Sequence, residues 1–159
     1  MKITDFQPEP WVRNFDVHTS DPGWLYVLKS GSRLKIGTTT DFNSRFRTAR
    51  TWIPDIQVVG VKPFWECIHL ERILHIALSD YWIGGEWFNF DRDEFEQYFL
   101  ETFCEFYDKD INRNSVEFTY WMNSTGMSEF TIEYSRRGVS LPEWRRQENY
   151  RRRNSRNGA

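Results

Sequence analysis

The chain has 159 residues, the size of one domain with some decoration, and its 39% hydrophobic and 18% aromatic content, with 8 Trp and 13 Phe, is enough for a real core despite a mean hydropathy of −0.70. The formal net charge of −2 neither requires nor excludes a nucleic-acid partner. Two cysteines, Cys67 and Cys104, without metal or redox spacing fit a reduced interior; MKITDFQPEP has no apolar signal core and no apolar run nears membrane-spanning length, so a soluble, cytoplasmic protein is expected.

Residues 1–22 lack periodicity and contain prolines, which predicts an irregular lead-in. Trp24 to Leu28 and Leu34 to Gly37 read as two strands joined by a turn over Lys29 to Arg33. A turn centred between Ser30 and Gly31 sets Tyr26 opposite Lys35 on one face, where a nearby cation would lower the tyrosine pKa. The ordinary reading of such a pair is an aromatic–aliphatic contact with the lysine reaching to solvent. Asp41 is an N-cap for a short helix over Phe42 to Arg50 carrying Arg45 and Arg47, and Pro54 ends it.

Ile56 to Val61 predicts a third strand, and WECIHLERILHIALS a helix from Trp65 to Ser79 with Glu71 and His75 one turn apart. GGEWFNF, residues 84–90, leads into a third helix from Asp91 to about Tyr107, with Phe95, Phe99, Phe103 and Phe106 as its core stripe. Alternation over Val116 to Met122 and Phe130 to Tyr134 predicts a second hairpin around STGMS. Ser140 caps a final helix over Leu141 to Arg153, with Trp144 and Tyr150 in an Arg-rich face. The whole predicts an α/β (α+β) fold: a small antiparallel three-stranded sheet flanked by helices over 23–106, and an appendix of hairpin and basic helix over 112–159.

Charge is unevenly placed. Residues 91–135 hold 3 Lys/Arg against 11 Asp/Glu, a net of −8, and residues 136–159 hold 8 Arg against 2 Glu, a net of +6. The tail reads equally as an interaction arm or as a solubilising end that folds back on the acidic helix. Each polar residue taken singly is unremarkable: a helix Glu is usually solvated, and His75 between Leu74 and Ile76 suits a core edge. Cys67, His69, Glu71 and His75 make a poor zinc set, because ligands on one straight helix rarely wrap an ion.

Order and spacing together say more. Trp24-Leu25-Tyr26, Lys35-Ile36-Gly37, Arg45 eight residues after Gly37, Glu71 with Leu74-His75, and GEWF at 85–88 resemble, in sequence, the motifs of the GIY-YIG endonuclease superfamily. The resemblance is to the branch with KIG in place of YIG, and it spans Gly23 to Phe90. Trp24 stands where the family has its first glycine, and Ala49 where it often has a histidine.

The resemblance implies a metal-dependent DNA endonuclease. Glu71 would hold one Mg²⁺ (or Mn²⁺), Tyr26 with Lys35 would activate water, Arg45 would neutralise the phosphate, and His75 would belong to the same site. Arg47 and Arg50 on the short helix, and Arg145, Arg146, Arg151, Arg152 and Arg153 on the last one, are the expected nucleic-acid contacts. The alternative is a silent module of the same fold that binds nucleic acid or a protein, through the acidic 91–135 segment or the Arg-rich tail.

Overall fold

The computed structural model describes residues 1–91, 94–124 and 137–157. Five strands, β1 (Gly23–Ser30), β2 (Arg33–Thr39), β3 (Gln57–Phe64), β4 (Trp82–Gly84) and β5 (Trp87–Asn89), form one antiparallel sheet in the order β3-β1-β2-β5-β4. The helices are α1 (Phe42–Trp52), α2 (Cys67–Ala77), α3 (Glu94–Glu105), α4 (Ile111–Ser124) and α5 (Leu141–Asn157). The expected three strands are therefore extended to five: GGEWFNF does not merely close the domain but turns back on itself as β4 and β5, with Gly84 and Gly85 at positive φ supplying the tight reversal.

The first hairpin turns one residue later than expected, which shifts its cross-strand register by two. Gly31, at φ 59, takes the first place of a two-residue loop between Ser30 and Arg33, because glycine alone adopts that conformation without cost. Tyr26 consequently pairs with Gly37, and Lys35 with Leu28. A shift of two leaves the faces unchanged, so Tyr26 and Lys35 still share one side of the sheet.

That side is covered by α1. Asp41 caps it, its carboxylate accepting the Ser44 N–H at 3.2 Å, and Phe42, Phe46, Ala49 and Ile53 pack on Tyr26, Leu28 and Ile56. The opposite side carries the main core. Leu25, Val27, Leu34, Ile36 and Phe88 meet Leu74 and Ile73 of α2 and Phe99 and Phe103 of α3, and the same cluster takes in Phe118 and Trp121 of α4 and Leu141 of α5.

Residues 111–124 are a helix, not the first arm of a second hairpin; the second arm, Phe130 to Tyr134, lies outside the described residues. The alternation from Val116 to Met122 is also compatible with a helix that buries Phe118, Trp121 and Met122 at i, i+3 and i+4. Polar side chains on the first turns of α4 decide between the two. Fully buried Asn114 donates to the carbonyls of Pro63 (3.1 Å) and Tyr107 (2.8 Å) and accepts the Tyr107 N–H at 2.8 Å. Asn112 accepts from the Trp65 indole at 2.9 Å and from the Glu9 N–H at 3.1 Å, and donates to the Gln7 carbonyl at 2.9 Å. The N-terminal segment, read as an irregular lead-in, is thereby fastened: Ile3 and Phe6 are buried with Trp65 and Ile111.

Asn114→Ala leaves three backbone groups without this partner. It is expected to destabilise the fold by about 2–3 kcal/mol, read as a lower urea midpoint at unchanged slope.

Candidate functional site

One end of the sheet gathers charged groups from four separate segments. Glu71 stands in the second turn of α2, and Thr38 of β2 donates its hydroxyl to Glu71 Oε2 at 2.6 Å. Glu86 sits in the β4–β5 turn, where its backbone carbonyl accepts the Ile36 N–H at 3.0 Å and ties the turn to β2. The two carboxyls act on each other electrostatically, so that a proton on one favours the charge of the other.

Both are pushed above the usual carboxylate range. For Glu71 burial raises the value, against the bonds from Thr38 and Glu86 and the charges of Arg72 and Arg45. For Glu86 burial again leads, the Glu71 charge adds to it, and Lys35, His75 and Arg45 oppose it. As a pair they hold a proton at higher pH than ordinary glutamates. Arg45, exposed on α1, acts electrostatically on Glu71, Glu86 and Tyr26 together, so it overlooks the pair.

Tyr26 is 1% exposed and packs against Phe42, ring centroids 5.7 Å apart. Its hydroxyl crosses Gly37. A Cβ at Gly37 would lie 2.5 Å from Tyr26 Oη and 2.8 Å from Glu86 Oε2. The expected lowering of the tyrosine pKa is reversed. Burial raises it well above the ordinary value, the Glu86 charge adds to the rise, Arg45 opposes it, and Glu71 adds again. Lys35, two positions from where a direct pairing would put it, reaches Glu86 instead, Nζ to Oε2 at 3.9 Å.

His75 is turned to the backbone. Its Nε2 lies 2.8 Å from the Ile36 carbonyl, an acceptor, so Nε2 carries the proton, and burial keeps the ring neutral by lowering its pKa. That atom is 3.7 Å from Glu71 Oε1. His75 thus fastens α2 to β2 behind the carboxyl pair and positions the site rather than meeting a substrate through Nε2.

The arginine candidates divide. Arg47 and Arg50 are exposed on α1, Arg50 stacked on Phe46 at 5.8 Å. The last helix packs through Leu141 and Trp144 on the core, and Arg145 lies over the Trp82 ring at 5.2 Å. Arg146, Arg151, Arg152 and Arg153 face solvent, with Arg151 3.3 Å from Glu148.

Sequence reasoning missed Glu86 and Thr38 as site residues. Glu86 lies inside the quoted GEWF motif, and only a fold that returns the turn to β2 shows its carboxyl meeting Glu71. Among the described residues no three His, Cys, Asp or Glu side chains converge as a ready metal cage. What is present is a two-carboxylate set of hard oxygen donors.

A sheet end with two neighbouring carboxyls, a buried tyrosine and an arginine that acts on all three is the candidate site. The chain belongs to the T5orf172 domain family, whose model matches residues 23–103. The family is related to a nuclease fold of phage proteins. No curated protein and no solved structure matches the chain. No helix among the described residues is long and apolar enough to cross a membrane.

Two expectations follow. Gly37→Ala forces the Tyr26 hydroxyl and the Glu86 carboxylate aside, costing about 1–3 kcal/mol in a urea melt, the scale of overpacking. Glu71→Gln raises the melting temperature at pH 7 in EDTA. A raised carboxyl pKa means the folded state disfavours the ionised form, so wild type loses stability as pH climbs from about 4.3, the unfolded value, through the folded one. Glutamine still accepts the Thr38 hydroxyl and never ionises. The two melting curves should converge below about pH 4, and equal melting temperatures at pH 7 contradict the assignment.

Proposed function

We propose that this chain is a metal-dependent DNA endonuclease of the GIY-YIG type, which hydrolyses phosphodiester bonds. The observation that carries the reading is the coupled carboxyl pair Glu71–Glu86, brought together from α2 and the β4–β5 turn, with Arg45 acting on both and Tyr26 Oη and Glu86 Oε2 converging over Gly37. Two neighbouring carboxylates, that of Glu71 largely buried and that of Glu86 partly exposed, favour a proton or a cation between them. Mg²⁺ binds through one or two carboxylates and borrows phosphate oxygens for the rest, which suits this donor set, and Mn²⁺ accepts the same ligands. Glu71 and Glu86 would hold the ion; when bound it would stabilise the leaving 3′ oxygen.

The other groups take roles that their positions permit. Arg45 neutralises the non-bridging oxygens of the scissile phosphate. Thr38 holds Glu71 in one rotamer by its 2.6 Å bond, and His75 holds the strand that carries Thr38. Lys35 offsets the charge of Glu86. Tyr26 keeps its proton because burial raises its pKa and the charges of Glu86 and Glu71, while uncompensated, add to the rise. Its service as base at Oη, taking a proton from the attacking water, therefore requires their charge to be neutralised first.

A second reading, a silent module that binds nucleic acid or a basic protein surface, is favoured by the burial of Tyr26, which a base must overcome to reach water. Plasmid DNA with Mg²⁺ or Mn²⁺ separates the two. The nuclease reading expects wild type to convert supercoiled plasmid, Glu71→Gln to abolish this, and Tyr26→Phe to slow it by about a hundredfold or more. The divalent ion should also raise the wild-type melting temperature and leave Glu71→Gln unmoved. Equal cleavage by wild type and Glu71→Gln removes the reading; no cleavage with retained DNA binding selects the silent module.

A further inference from the structure

The most basic stretch of the domain is β2 with α1. Residues 31–54 contain Arg33, Lys35, Arg45, Arg47 and Arg50 against Asp41 alone, a net of +4 in a chain whose total is −2. The half-buried stripe of α1, Phe42, Phe46 and Ala49, leaves two flanks. At 100° per residue Arg45 and Trp52, seven apart, share one flank, while Asn43 and Arg50 share the other. Asn43 lines a groove with Val61 of β3, so its flank looks to the β3 edge. Arg45 acts on Glu71 and Glu86, so its flank looks to β2 and β5.

The direction of α1 places Trp52. The helix leaves β2 at Asp41 and ends just before Asp55, whose carboxylate accepts the Ser30 hydroxyl at 3.3 Å beside the first hairpin turn. Trp52 therefore lies toward the hairpin end of the sheet, about 10 Å along the helix axis from Arg45. At 81% exposure it is the most exposed large apolar side chain among the described residues. Near that same end Arg33 lies over the Trp87 ring at 5.3 Å. Cation and aromatic alternate along this flank.

We infer that the surface between the Arg45–Trp52 flank of α1 and β2 carries an unpaired nucleotide next to the scissile phosphate, its base stacked on the Trp52 indole. The inference rests on the nuclease reading, with Arg45 on the phosphate. Every base has a π-face and a backbone charge, and a groove that pairs arginines with aromatic rings recognises both without regard to sequence. In an intact duplex those faces are occupied by neighbouring bases, so an exposed indole one short reach from the phosphate clamp selects a strand whose next base is free. Arg33 and Lys35 on β2 supply charge for the adjoining phosphates.

The test uses a short fluorescein-labelled oligothymidylate and anisotropy in EDTA, where no cleavage occurs. Trp52→Ala should bind about 5- to 150-fold more weakly than wild type, the range of one lost base stack, with an unchanged melting temperature. Trp52→Tyr should recover most of the loss. Tyr120→Ala, at a 61% exposed ring on α4, should bind as wild type. With Mg²⁺, wild type should cut a duplex containing an unpaired bubble faster than the same duplex fully paired, and Trp52→Ala should lose that preference. Equal oligothymidylate binding by wild type and Trp52→Ala overturns the inference, as does wild-type cleavage indifferent to the bubble. If wild type cuts nothing but Trp52→Ala still binds more weakly, the nuclease reading fails and the stacking platform stands.

Discussion

The missing side chain at Gly37 is the constraint on which the site depends. β1 and β2 register so that Tyr26 faces Gly37, and only there can a tyrosine lie across the neighbouring strand and reach the carboxyls beyond it. Any Cβ would occupy the space shared by the Tyr26 hydroxyl and the Glu86 carboxylate. The same strand then presents Thr38 to Glu71 and the Ile36 carbonyl to His75. Four consecutive residues of β2, Lys35 to Thr38, thus set the distance between the α2 carboxyl, the turn carboxyl and the tyrosine. Strand alternation sends Lys35 and Gly37 to the tyrosine side and Ile36 to the core.

This arrangement is electrostatically uncomfortable, and the rest of the fold supports it. Burial raises the proton affinity of Glu71, Glu86 and Tyr26, the Glu71 charge adds to it at Glu86 and both carboxylates add to it at Tyr26, while the cations Arg72, Arg45 and Lys35 offset only part of it. Sites kept in such a state are held by rigid surroundings, not by their own contacts. Here the surroundings are aromatic. Phe88 packs against the His75 ring at 5.1 Å from behind, and Phe90, Phe99, Phe103, Phe106 and Trp121 continue the stack away from the site. The 18% aromatic content has this use: rings fill the space between sheet and helices with few rotatable bonds.

The elements carried by local signals were legible. Asp41 caps α1, Ser140 caps α5 with its hydroxyl accepting the Glu143 N–H, and the aromatic stripe expected of α3 is buried at Phe99, Phe103 and Phe106. The misreadings share one cause, a local pattern that tertiary contacts decide. Ser30-Gly31 and Gly31-Ser32 are both acceptable turn centres by composition, and the positive φ of Gly31 at the first loop position chooses the second. Val116 to Met122 alternates, but Asn112, Asn114 and Ser115 just before it need the carbonyls and N–H groups of distant loops, which a helix delivers on one face. At the site, Arg45, Glu71 and His75 were legible as members of a spaced set. Glu86 was not, because its coupling to Glu71 spans two elements and leaves no periodic mark.

Segment charge proved a poor map of surface charge for the same reason. The tail carries net +6, yet Arg145 lies over Trp82 and helps pack the helix on the domain, and Arg151 pairs with Glu148 within the helix, so part of that charge is used internally. The acidic stretch contributes Glu96 to an ion pair with Lys29 at 3.5 Å and Asp108 to one with buried Lys62 at 2.7 Å, both tying α3 and its following loop to the sheet. The opposed charges of the second half of the chain are in this sense partly spent on holding it to the first. The cations of β2 and α1 pair little: Lys35 meets Glu86 at 3.9 Å, and Arg33 and Arg50 lie over rings that leave their charge open to solvent. An anionic ligand drawn to this protein meets its attractive field on the α1 side of the sheet, next to the sheet end where the carboxyl pair lies, and the net charge of −2 conceals it.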